Sequence, residues 1–404
     1  MKKSAIAIAV AAALGTSAVA MAETTLYGSA RVSVDWTNPD MSTFEDLNYR
    51  ATPDDNFQTV NTNKYLQVWN DSSRLGVRGS EDLGSGISAI YQYEFGVDVP
   101  GGNNYFNSNR PRWVGLKGDF GALTLGTQFT PFYNVIGYTD TFNSNKTFDQ
   151  DYYLRGTQTL SNPVLFQKGI AELRRGSSVV YTTPNWNGLS AQGMVVMNGT
   201  PGANNVDQWE ANLTYSNGPW FVGGAVLQDR DVTYTSSTPG ARTVAQTQDN
   251  HDMQYGVALG FDNKRFGIGA SWQQYHPEND LTGPDAFVIT LPTATAAGGL
   301  TGVEHTTVNA YTLQGQYYFG SEVLRLTGSY IKPKDLDSKQ WVVEFGFQHN
   351  LSKRTRLWAE YIYTTQKFED NTVTVATPTG TAVFDINPND ANMHMVSAGI
   401  RHDF

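Results

Sequence analysis

Basic side chains recur at even spacings in segments where polar and apolar residues alternate. Arg74 and Arg78 are four residues apart in "SRLGVRG", and Arg31 lies within "LYGSARV". In an extended strand, residues separated by an even number share one face. Arginines on one polar face, opposed by carboxylates, would set up an electric field that aligns water and small polar solutes. The pattern predicts a charged wall, with Lys117, Arg325 and Arg356 selected by the same alternation.

Bond-making chemistry is less well supported. None of the six histidines lies in H-E-x-x-H or another metal-ligand spacing. His251 and Asp249 are the best candidates for a protease-like catalytic pair. Adjacent residues such as His251 and Asp252 point to opposite faces of a strand and cannot form such a pair. The sequence contains no G-x-S-x-G elbow, no P-loop and no cysteine. We therefore predict no enzymatic activity, no cofactor and no metal.

The beginning of the chain resembles an export signal. Residues 1–22 carry Lys2 and Lys3, then an apolar run, then the small-residue site formed by Ala20 and Ala22. Without the two lysines, 26 basic residues of the original 28 stand against 38 acidic ones. An acidic exported chain argues against nucleic acid as a partner. The pattern predicts cleavage after Ala22 and a single domain over residues 23–404.

Strict alternation with period two indicates strands that are long for a soluble sandwich. In "TTLYGSARVSVDW" the residues Leu26, Val32 and Val34 share a face opposite Arg31 and Ser33. The alternating segments are about ten residues long, which spans a bilayer at a tilt of about 45°. Backbone groups in a membrane need partners, so such strands must close into a barrel. We predict a transmembrane antiparallel β-barrel of about 16 strands, wide enough for an aqueous channel.

The connections alternate in length and predict the orientation. Tight turns such as "DLGSG" and "DNKR" alternate with long polar segments at about 38–63, 129–174, 231–249, 277–304 and 367–390. Short turns of outer-membrane barrels face the periplasm, and long loops face outward. A loop of more than 40 residues at 129–174 is unusual for a compact barrel and is expected to be functional.

Several blocks resemble one known family. "SRLGVRGSEDLGSGISAIYQYEFG", "RWVGLKGDFGALTLGTQFTPFY" and the terminal "GIRHDF" are similar to signature blocks of the general Gram-negative porins. The resemblance covers the whole chain in order. It implies a trimeric, sixteen-stranded barrel in the outer membrane of a Gram-negative bacterium, with outer-membrane lipids and lipopolysaccharide around it. It also implies a water-filled channel for small polar solutes and ions.

The resemblance further implies how the pore is narrowed. In this family the third extracellular loop folds into the barrel, and its acidic groups face an arginine ladder. The matching loop acids are Asp140, Asp149, Asp151 and Glu172, and the wall candidates are Arg31, Arg74, Arg78, Lys117, Arg325 and Arg356. The chain has Thr127 where the family often has arginine, so the ladder is altered there. An alternative is that these arginines only pair with nearby carboxylates and stiffen the wall.

The last residues, "VSAGIRHDF", alternate with Ile400 and Phe404 on one face. We expect this strand to pair with the first strand, because an open sheet edge cannot stand in a membrane. The resemblance implies that the terminal aromatic, with Ile400, is read by the outer-membrane assembly machinery.

Two other functions stay open. A substrate-specific channel for sugars or organic anions would need an aromatic track, and the inward-facing candidates are Tyr27, Tyr318 and Trp358. A structural or adhesive barrel would have a plugged lumen. Three scattered aromatic residues do not form a track, so the sequence favours a general diffusion pore.

Overall fold

The computed structural model describes residues 23–40, 64–101, 106–107, 110–142, 173–197, 199, 206–235, 245–276, 278, 287–290, 301–304, 307–334, 338–368, 371–377, 380–386 and 391–404. The predicted cleavage site at Ala20 and Ala22 and the loop acids Asp149, Asp151 and Glu172 lie outside these residues. Within the described ranges, no helix is long and apolar enough to cross a membrane.

The described residues form β-strands almost throughout, with one short helix, α1 (Pro131–Ile136), and a 3-10 turn at Gly137–Thr139. In chain order the strands are β1 (Glu23–Asp40), β2 (Tyr65–Asn70), β3 (Arg74–Gly84), β4 (Ile87–Val97), β5 (Phe106–Asn107), β6 (Arg112–Gly118), β7 (Gly121–Phe129), β8 (Arg174–Thr182), β9 (Leu189–Met197), β10 (Val206–Asn217), β11 (Trp220–Thr235), β12 (Ala245–Asp262), β13 (Phe266–His276), β14 (Phe287–Thr290), β15 (Thr301–Glu304), β16 (Val308–Phe319), β17 (Glu322–Pro333), β18 (Ser338–Asn350), β19 (Thr355–Phe368), β20 (Asn371–Thr377), β21 (Gly380–Ile386) and β22 (Ala391–Asp403).

One antiparallel sheet of 18 strands closes on itself. The pairs β2 with β3 and β5 with β6 each share one position in the wall, so the described barrel has sixteen strand positions. The first strand pairs with the last from Ser29 opposite Asp403 to Asp40 opposite Asn392. Beyond that ladder, the Gly28 amide donates to the Phe404 carbonyl oxygen at 3.0 Å, and the Phe404 amide donates back at 3.1 Å. The prediction of a closed barrel of about 16 strands is confirmed.

The second strand position is interrupted, which the alternation did not predict. The chain breaks between β2 and β3 at residues 71–73. Ser72 has a φ of 67°, in the left-handed region, so it cannot continue a strand. Ser73 bridges the gap: its Oγ accepts from the Arg31 amide at 2.8 Å and donates to the Arg31 carbonyl oxygen at 2.9 Å.

The two faces of the wall differ as predicted. On β16, Leu313 points outward and is 59% exposed, while its neighbour Gln314 points inward and is 3% exposed. The same alternation places Val34 outside and Ser33 inside on β1. An outward apolar face with a polar interior is the pattern of a membrane barrel.

Aromatic side chains gather on the outer face near both ends of the strands. Toward the long-loop end, Tyr330 packs against Trp341 with ring centroids 4.3 Å apart. At the short-turn end, Trp220 packs against Phe261 at 4.8 Å. Two such belts mark the interfaces between a bilayer and water.

Long and short connections alternate around the described barrel. Tight turns such as 85–86, 218–219 and 320–321 lie at the end that carries the two chain termini of the sheet. The opposite end carries two extra hairpins, β14 with β15 and β20 with β21. The loop expected at 231–249 is shorter, because β11 and β12 stay paired as far as Thr235 opposite Ala245.

Candidate functional site

The segment after β7 turns into the barrel instead of away from it. The Thr130 side chain caps α1 by accepting from the Tyr133 amide at 3.1 Å, and Pro131 occupies the first turn, where its missing N–H costs nothing. Phe132, Val135 and Ile136 are at most 1% exposed. The described first part of the predicted loop, residues 130–142, therefore lies inside the barrel and packs on its wall.

Polar side chains of the wall hold α1 in place. The Phe132 amide donates to Glu210 Oε2 at 2.9 Å, and Asn212 Nδ2 donates to the Pro131 carbonyl oxygen at 2.7 Å. Asn134 Nδ2 donates to Gln192 Oε1 at 2.8 Å. The first amides of a helix lack partners within the helix. In α1 the Thr130 side chain accepts from the Tyr133 amide, and Glu210 supplies the acceptor for the Phe132 amide.

Inward-facing glycines make room for the loop. A Cβ on Gly256 would stand 2.9 Å from both Phe132 and Ile136, and one on Gly223 would stand 3.1 Å from Val135. Three more inward-facing glycines lie under Tyr138 and Phe142, namely Gly260, Gly269 and Gly346. Together with Gly223 and Gly256, they make five positions that we call the glycine seat.

The loop continues along the wall after α1. Tyr138 stacks on Phe221 with ring centroids 4.4 Å apart. The hydroxyls of Thr139 and Ser271 are 2.9 Å apart, and those of Thr141 and Thr327 are 3.2 Å apart. With Phe142 over Gly346, residues 130–142 follow the inner wall from β9 to β18.

Arg74 and Arg78 both lie on the inner face of β3. Glu94 lies between Arg74, at 3.8 Å, and Arg110, at 3.5 Å, and is 4% exposed. The Tyr27 hydroxyl donates to Glu94 Oε2 at 2.9 Å. The guanidinium of Arg78 lies 5.0 Å from the centre of the Tyr27 ring. The Glu94 carboxylate and the two arginines Arg74 and Arg110 thus form a cluster on the inner wall.

A second basic group lies where the barrel closes. Arg31 stands opposite Arg401 on β22, and Arg401 stands opposite Arg356 on β19. Asp403 accepts from Arg356 Nη2 at 2.6 Å and from Arg401 Nε at 2.7 Å. Three arginines on neighbouring strands therefore face the lumen. Arg401 was not among the predicted wall residues, although its alternation with Ile400 could have revealed it.

The remaining predicted wall residues lie apart. Arg325 Nη2 donates to Gln348 Oε1 at 3.1 Å, and Arg325 interacts electrostatically with Glu360 and Arg356. Lys117 is exposed one residue from the end of β6, opposite Ser88 and Ala122, close to the turn at 119–120. The structure therefore brings Arg325 to the second basic group and leaves Lys117 at the short-turn rim.

The one described loop acid lies near wall carboxylates. Asp140 Oδ2 accepts from the Tyr133 hydroxyl at 3.5 Å, and its charge acts on Glu344 of β18. Glu344 also interacts electrostatically with Glu360 of β19. An acidic zone of Asp140, Glu344 and Glu360 thus lies beside the arginines of β17, β19 and β22, with Glu360 and Arg325 in the same row on either side of Gly346.

Part of the inner wall is apolar, which the alternation did not reveal. Inward-facing apolar residues near the long-loop end join Phe132 and Ile136 in one cluster, and each is at most 7% exposed. They are Leu227, Tyr275, Val308, Ala310, Ile331, Val342, Ile362, Met393 and Met395. The inner wall is therefore not uniformly polar.

One acidic partner of His251 in the structure is Glu278. The His251 amide donates to Glu278 Oε2 at 2.6 Å, and His251 Nδ1 lies 3.5 Å from Glu278 Oε1. In the described part of the chain, no group of three or more His, Cys, Asp or Glu could hold a metal ion.

Comparison with known proteins decides the family. The model of the Gram-negative porins matches residues 7–371. The chain belongs to the Gram-negative porin family. Among curated relatives of this porin, the major outer membrane protein P.IB of Neisseria meningitidis serogroup A is 31% identical over 234 residues, 57% of this chain and 61% of that protein. The chain thus spans less than two thirds of that curated relative.

Solved structures share the fold of this porin. An anion-selective porin from Comamonas acidovorans has a TM-score of 0.62 at 21% identity, covering 95% of this chain and all, 100%, of the other. OmpT of Vibrio cholerae in a trimer form has a TM-score of 0.58 at 16% identity, covering 95% and 99%. The predictions of a porin fold and of outer-membrane localisation are confirmed. The relatives are porins rather than enzymes, in agreement with the sequence.

Proposed function

We propose that this porin forms a water-filled channel through which ions and small hydrophilic solutes diffuse passively. The observation that carries the proposal is the seating of residues 130–142 on the inner wall of a closed barrel with sixteen strand positions. A barrel of this size is too wide to be filled by its own wall side chains. A loop held inside by Glu210 and the glycine seat would narrow the lumen.

We further propose that the charged groups set the ion preference. Arg31, Arg74, Arg78, Arg325 and Arg356 would form the basic side of the constriction, and the acidic zone around Asp140 would oppose it. Charges of opposite sign in separate zones align polar solutes and disfavour apolar ones. Pairing with Glu94 lowers the net positive charge that Arg74 adds to the wall. The balance between the basic side and the acidic zone would therefore decide whether the channel prefers anions or cations.

A sugar-specific channel is less well supported by the aromatic residues. The Tyr27 hydroxyl is bound to Glu94 and Gln92, and the Tyr318 hydroxyl donates to Asp262 at 3.0 Å. Trp358 packs over Gly399 on β22. The three rings stand on different wall regions and do not form a continuous stacking surface.

The proposed partners follow from the family and the barrel surface. Members of the family are generally trimeric, and the Vibrio cholerae relative was solved as a trimer, which supports a homotrimer here. The outward apolar face would contact phospholipid and lipopolysaccharide. Phe404 and Ile400 would be read by the assembly machinery, and residues 1–22 would be removed during export.

Single-channel recording in planar bilayers tests the function. We expect insertion steps in groups of three, ohmic conductance and no saturation by sugars. Absence of conductance from correctly folded trimers would contradict a pore. Saturation by one sugar class would instead support the substrate-specific channel. The reversal potential under a salt gradient then gives the ion preference.

A further inference from the structure

Three lysines form one row across β17, β18 and β19, at the end of the barrel that carries the long connections. Lys339 stands opposite Lys367 in the ladder of β18 with β19. The ladder of β17 with β18 ends with Ile331 opposite Gln340, so Lys332 and Lys339 come next as neighbours on the two strands. We call Lys332, Lys339 and Lys367 the lysine row.

The lysine row faces outward, as the alternation along each strand shows. Ile331, which is next to Lys332 on β17, is buried in the inner apolar cluster. Trp341 shares the face of the lysine of β18, Tyr361 shares the face of the lysine of β19, and both rings are exposed. The three side chains therefore extend from the outer wall and not into the lumen.

The row lies just beyond the aromatic belt of the outer face. Tyr330 and Trp341, whose ring centroids are 4.3 Å apart, each stand two residues from a lysine of the row on the same face. Tyr311 extends the belt, with its ring centroid 6.5 Å from that of Tyr330. Aromatic belts mark the interfaces between bilayer and water, and the long connections of outer-membrane barrels face outward. The row therefore lies at the level of the outer-leaflet headgroups.

Side-chain amides continue the row on the next two strands. Asn309 of β16 stands opposite Lys332, and Gln274 of β13 stands opposite Asn309. Gln274 Nε2 donates to Asn309 Oδ1 at 3.0 Å, and the indole of Trp272, which belongs to the belt, donates to the same oxygen at 3.1 Å. Neighbouring strands thus carry two amides and three ammonium groups side by side, over a width of about 19 Å at the usual strand spacing.

Three positive charges side by side favour an anionic partner. Opposite residues on neighbouring strands have Cβ atoms about 4.5–5.5 Å apart, and like charges in such pairs are destabilising. Lys334 lies beside the row and is exposed, and its amide donates to the Thr307 carbonyl oxygen at 2.8 Å. Asp335 and Asp337 follow in the sequence. An ammonium group has three donors, so a lysine can contact a carboxylate of its own chain and still bind a phosphate oxygen.

We propose that the lysine row binds a phosphate group of lipopolysaccharide, and that Asn309 and Gln274 bind the sugar hydroxyls beside it. Hydrogen bonds between ammonium and phosphate groups are charge-assisted, and amide side chains supply both donors and acceptors for hydroxyls. The row is wider than one phospholipid headgroup, which favours the larger phosphorylated sugar headgroup of lipopolysaccharide. The inference rests on the contact with lipopolysaccharide proposed above and does not depend on conduction.

Calorimetric titration of the folded porin in detergent micelles with purified lipopolysaccharide tests the proposal. The triple variant with Lys332→Gln, Lys339→Gln and Lys367→Gln should bind more weakly, by about fivefold for each basic residue lost near an anionic membrane surface. A second triple variant, with Lys332→Arg, Lys339→Arg and Lys367→Arg, keeps the charges and should bind as the wild type does. Unchanged binding in the glutamine variant would overturn the proposal.

The matched control removes three exposed charges from the tight turns at the opposite end of the barrel, through Lys264→Gln, Lys353→Gln and Arg354→Gln. We expect its affinity for lipopolysaccharide to equal that of the wild type. Equal weakening in the control and in the glutamine variant of the row would reduce the effect to net charge and would overturn the proposal.

Dephosphorylated lipopolysaccharide identifies the group that is bound. The wild type should bind it about as weakly as the glutamine variant binds the intact glycolipid. Equal binding of both forms by the wild type, or displacement of lipopolysaccharide by an equal concentration of phosphatidylglycerol, would overturn the proposal. Lower thermal stability of the glutamine variant with unchanged binding would assign the lysines to ion pairs within the chain, with the same consequence. Single-channel conductance should equal the wild-type value in every variant, so a porin that conducts normally but fails the binding test contradicts this inference alone.

Discussion

Tyr138 lies directly over Gly260, so closely that any side chain at position 260 would collide with its ring. The same ring stacks on Phe221 and overhangs Gly269. A loop residue is thus held by one aromatic neighbour and by two positions that have no side chain. This relationship explains how a loop can lie flat on a β-wall, since a normal alternation of inward side chains would keep it at a distance.

Replacing Gly260 by valine is expected to move the loop. The new side chain can be accommodated only if Tyr138 shifts away from the wall and into the lumen, so single-channel conductance should fall. Overpacking of this kind costs about 1–3 kcal/mol, which thermal unfolding of the trimer should detect. Gly193→Val is the control, because a Cβ at that outward-facing position meets nothing within 4 Å. Unchanged conductance in Gly260→Val would show that the loop does not narrow the path.

Glu210→Ala should release the start of α1. The Phe132 amide and the Gln208 side chain both donate to this buried carboxylate, at 2.9 Å and 2.7 Å. Leaving a buried donor without an acceptor costs about 1–3 kcal/mol, so amide exchange in the peptide containing 130–136 should accelerate. Glu210→Gln keeps an acceptor oxygen and should exchange more slowly than Glu210→Ala. Equal exchange in the two variants would contradict the proposed role of the hydrogen bond.

Reversal potential should respond in opposite directions to changes at the two ends of one ion pair. Arg74→Glu replaces a positive charge on the inner face by a negative one, so the potential should shift toward cation preference. Arg74→Gln changes the charge by half as much and should give a smaller shift of the same sign. If neither variant changes the potential while trimer yield is normal, Arg74 lies away from the ion path.

Glu94→Gln is the complementary change. Glu94 offsets one of the two positive charges of Arg74 and Arg110, so Glu94→Gln should raise the net positive charge of the inner wall by one and shift the reversal potential toward anions. Glu94 is buried and its partners would repel each other, so stability should fall as well. A shift toward cations would contradict this account of the cluster.

Much of the barrel could be predicted from alternation, because successive residues of a strand point to opposite faces of the sheet. Val34 and Ser33 illustrate how directly this pattern gave the two faces. The break at Ser72 could not be predicted, since it depends on a left-handed backbone angle that serine adopts only in context. The extra hairpins after β13 and β19 were likewise read as plain loops.

The site was less predictable than the wall because it depends on contacts between distant segments. The glycines at 223, 256, 260, 269 and 346 are ordinary strand residues in sequence and become a seat only when residues 130–142 lie on them. Asp140 was expected to face arginines, a role that stays a prediction. Its described electrostatic neighbour is Glu344, whose position depends on how β18 is placed across the barrel.

Replacing Phe404 by alanine separates pairing from recognition. The backbone of Phe404 makes two hydrogen bonds with Gly28, and its ring packs over Gly28 while staying 48% exposed. The Ala variant keeps both backbone bonds, so refolding from urea into detergent micelles should reach nearly the wild-type yield. The amount of protein assembled in the outer membrane of cells should fall severalfold, because the aromatic group is absent.

Phe404→Tyr is the control for the last experiment, since it keeps an aromatic ring at the barrel's closing strand. We expect its assembly in cells to match the wild type. If Phe404→Ala also assembled normally in cells, recognition of the ring would be excluded and the residue would serve closure alone. If refolding in micelles failed as well, the ring's packing on Gly28 would be needed to close β22 against β1, and the cellular defect would then report on pairing.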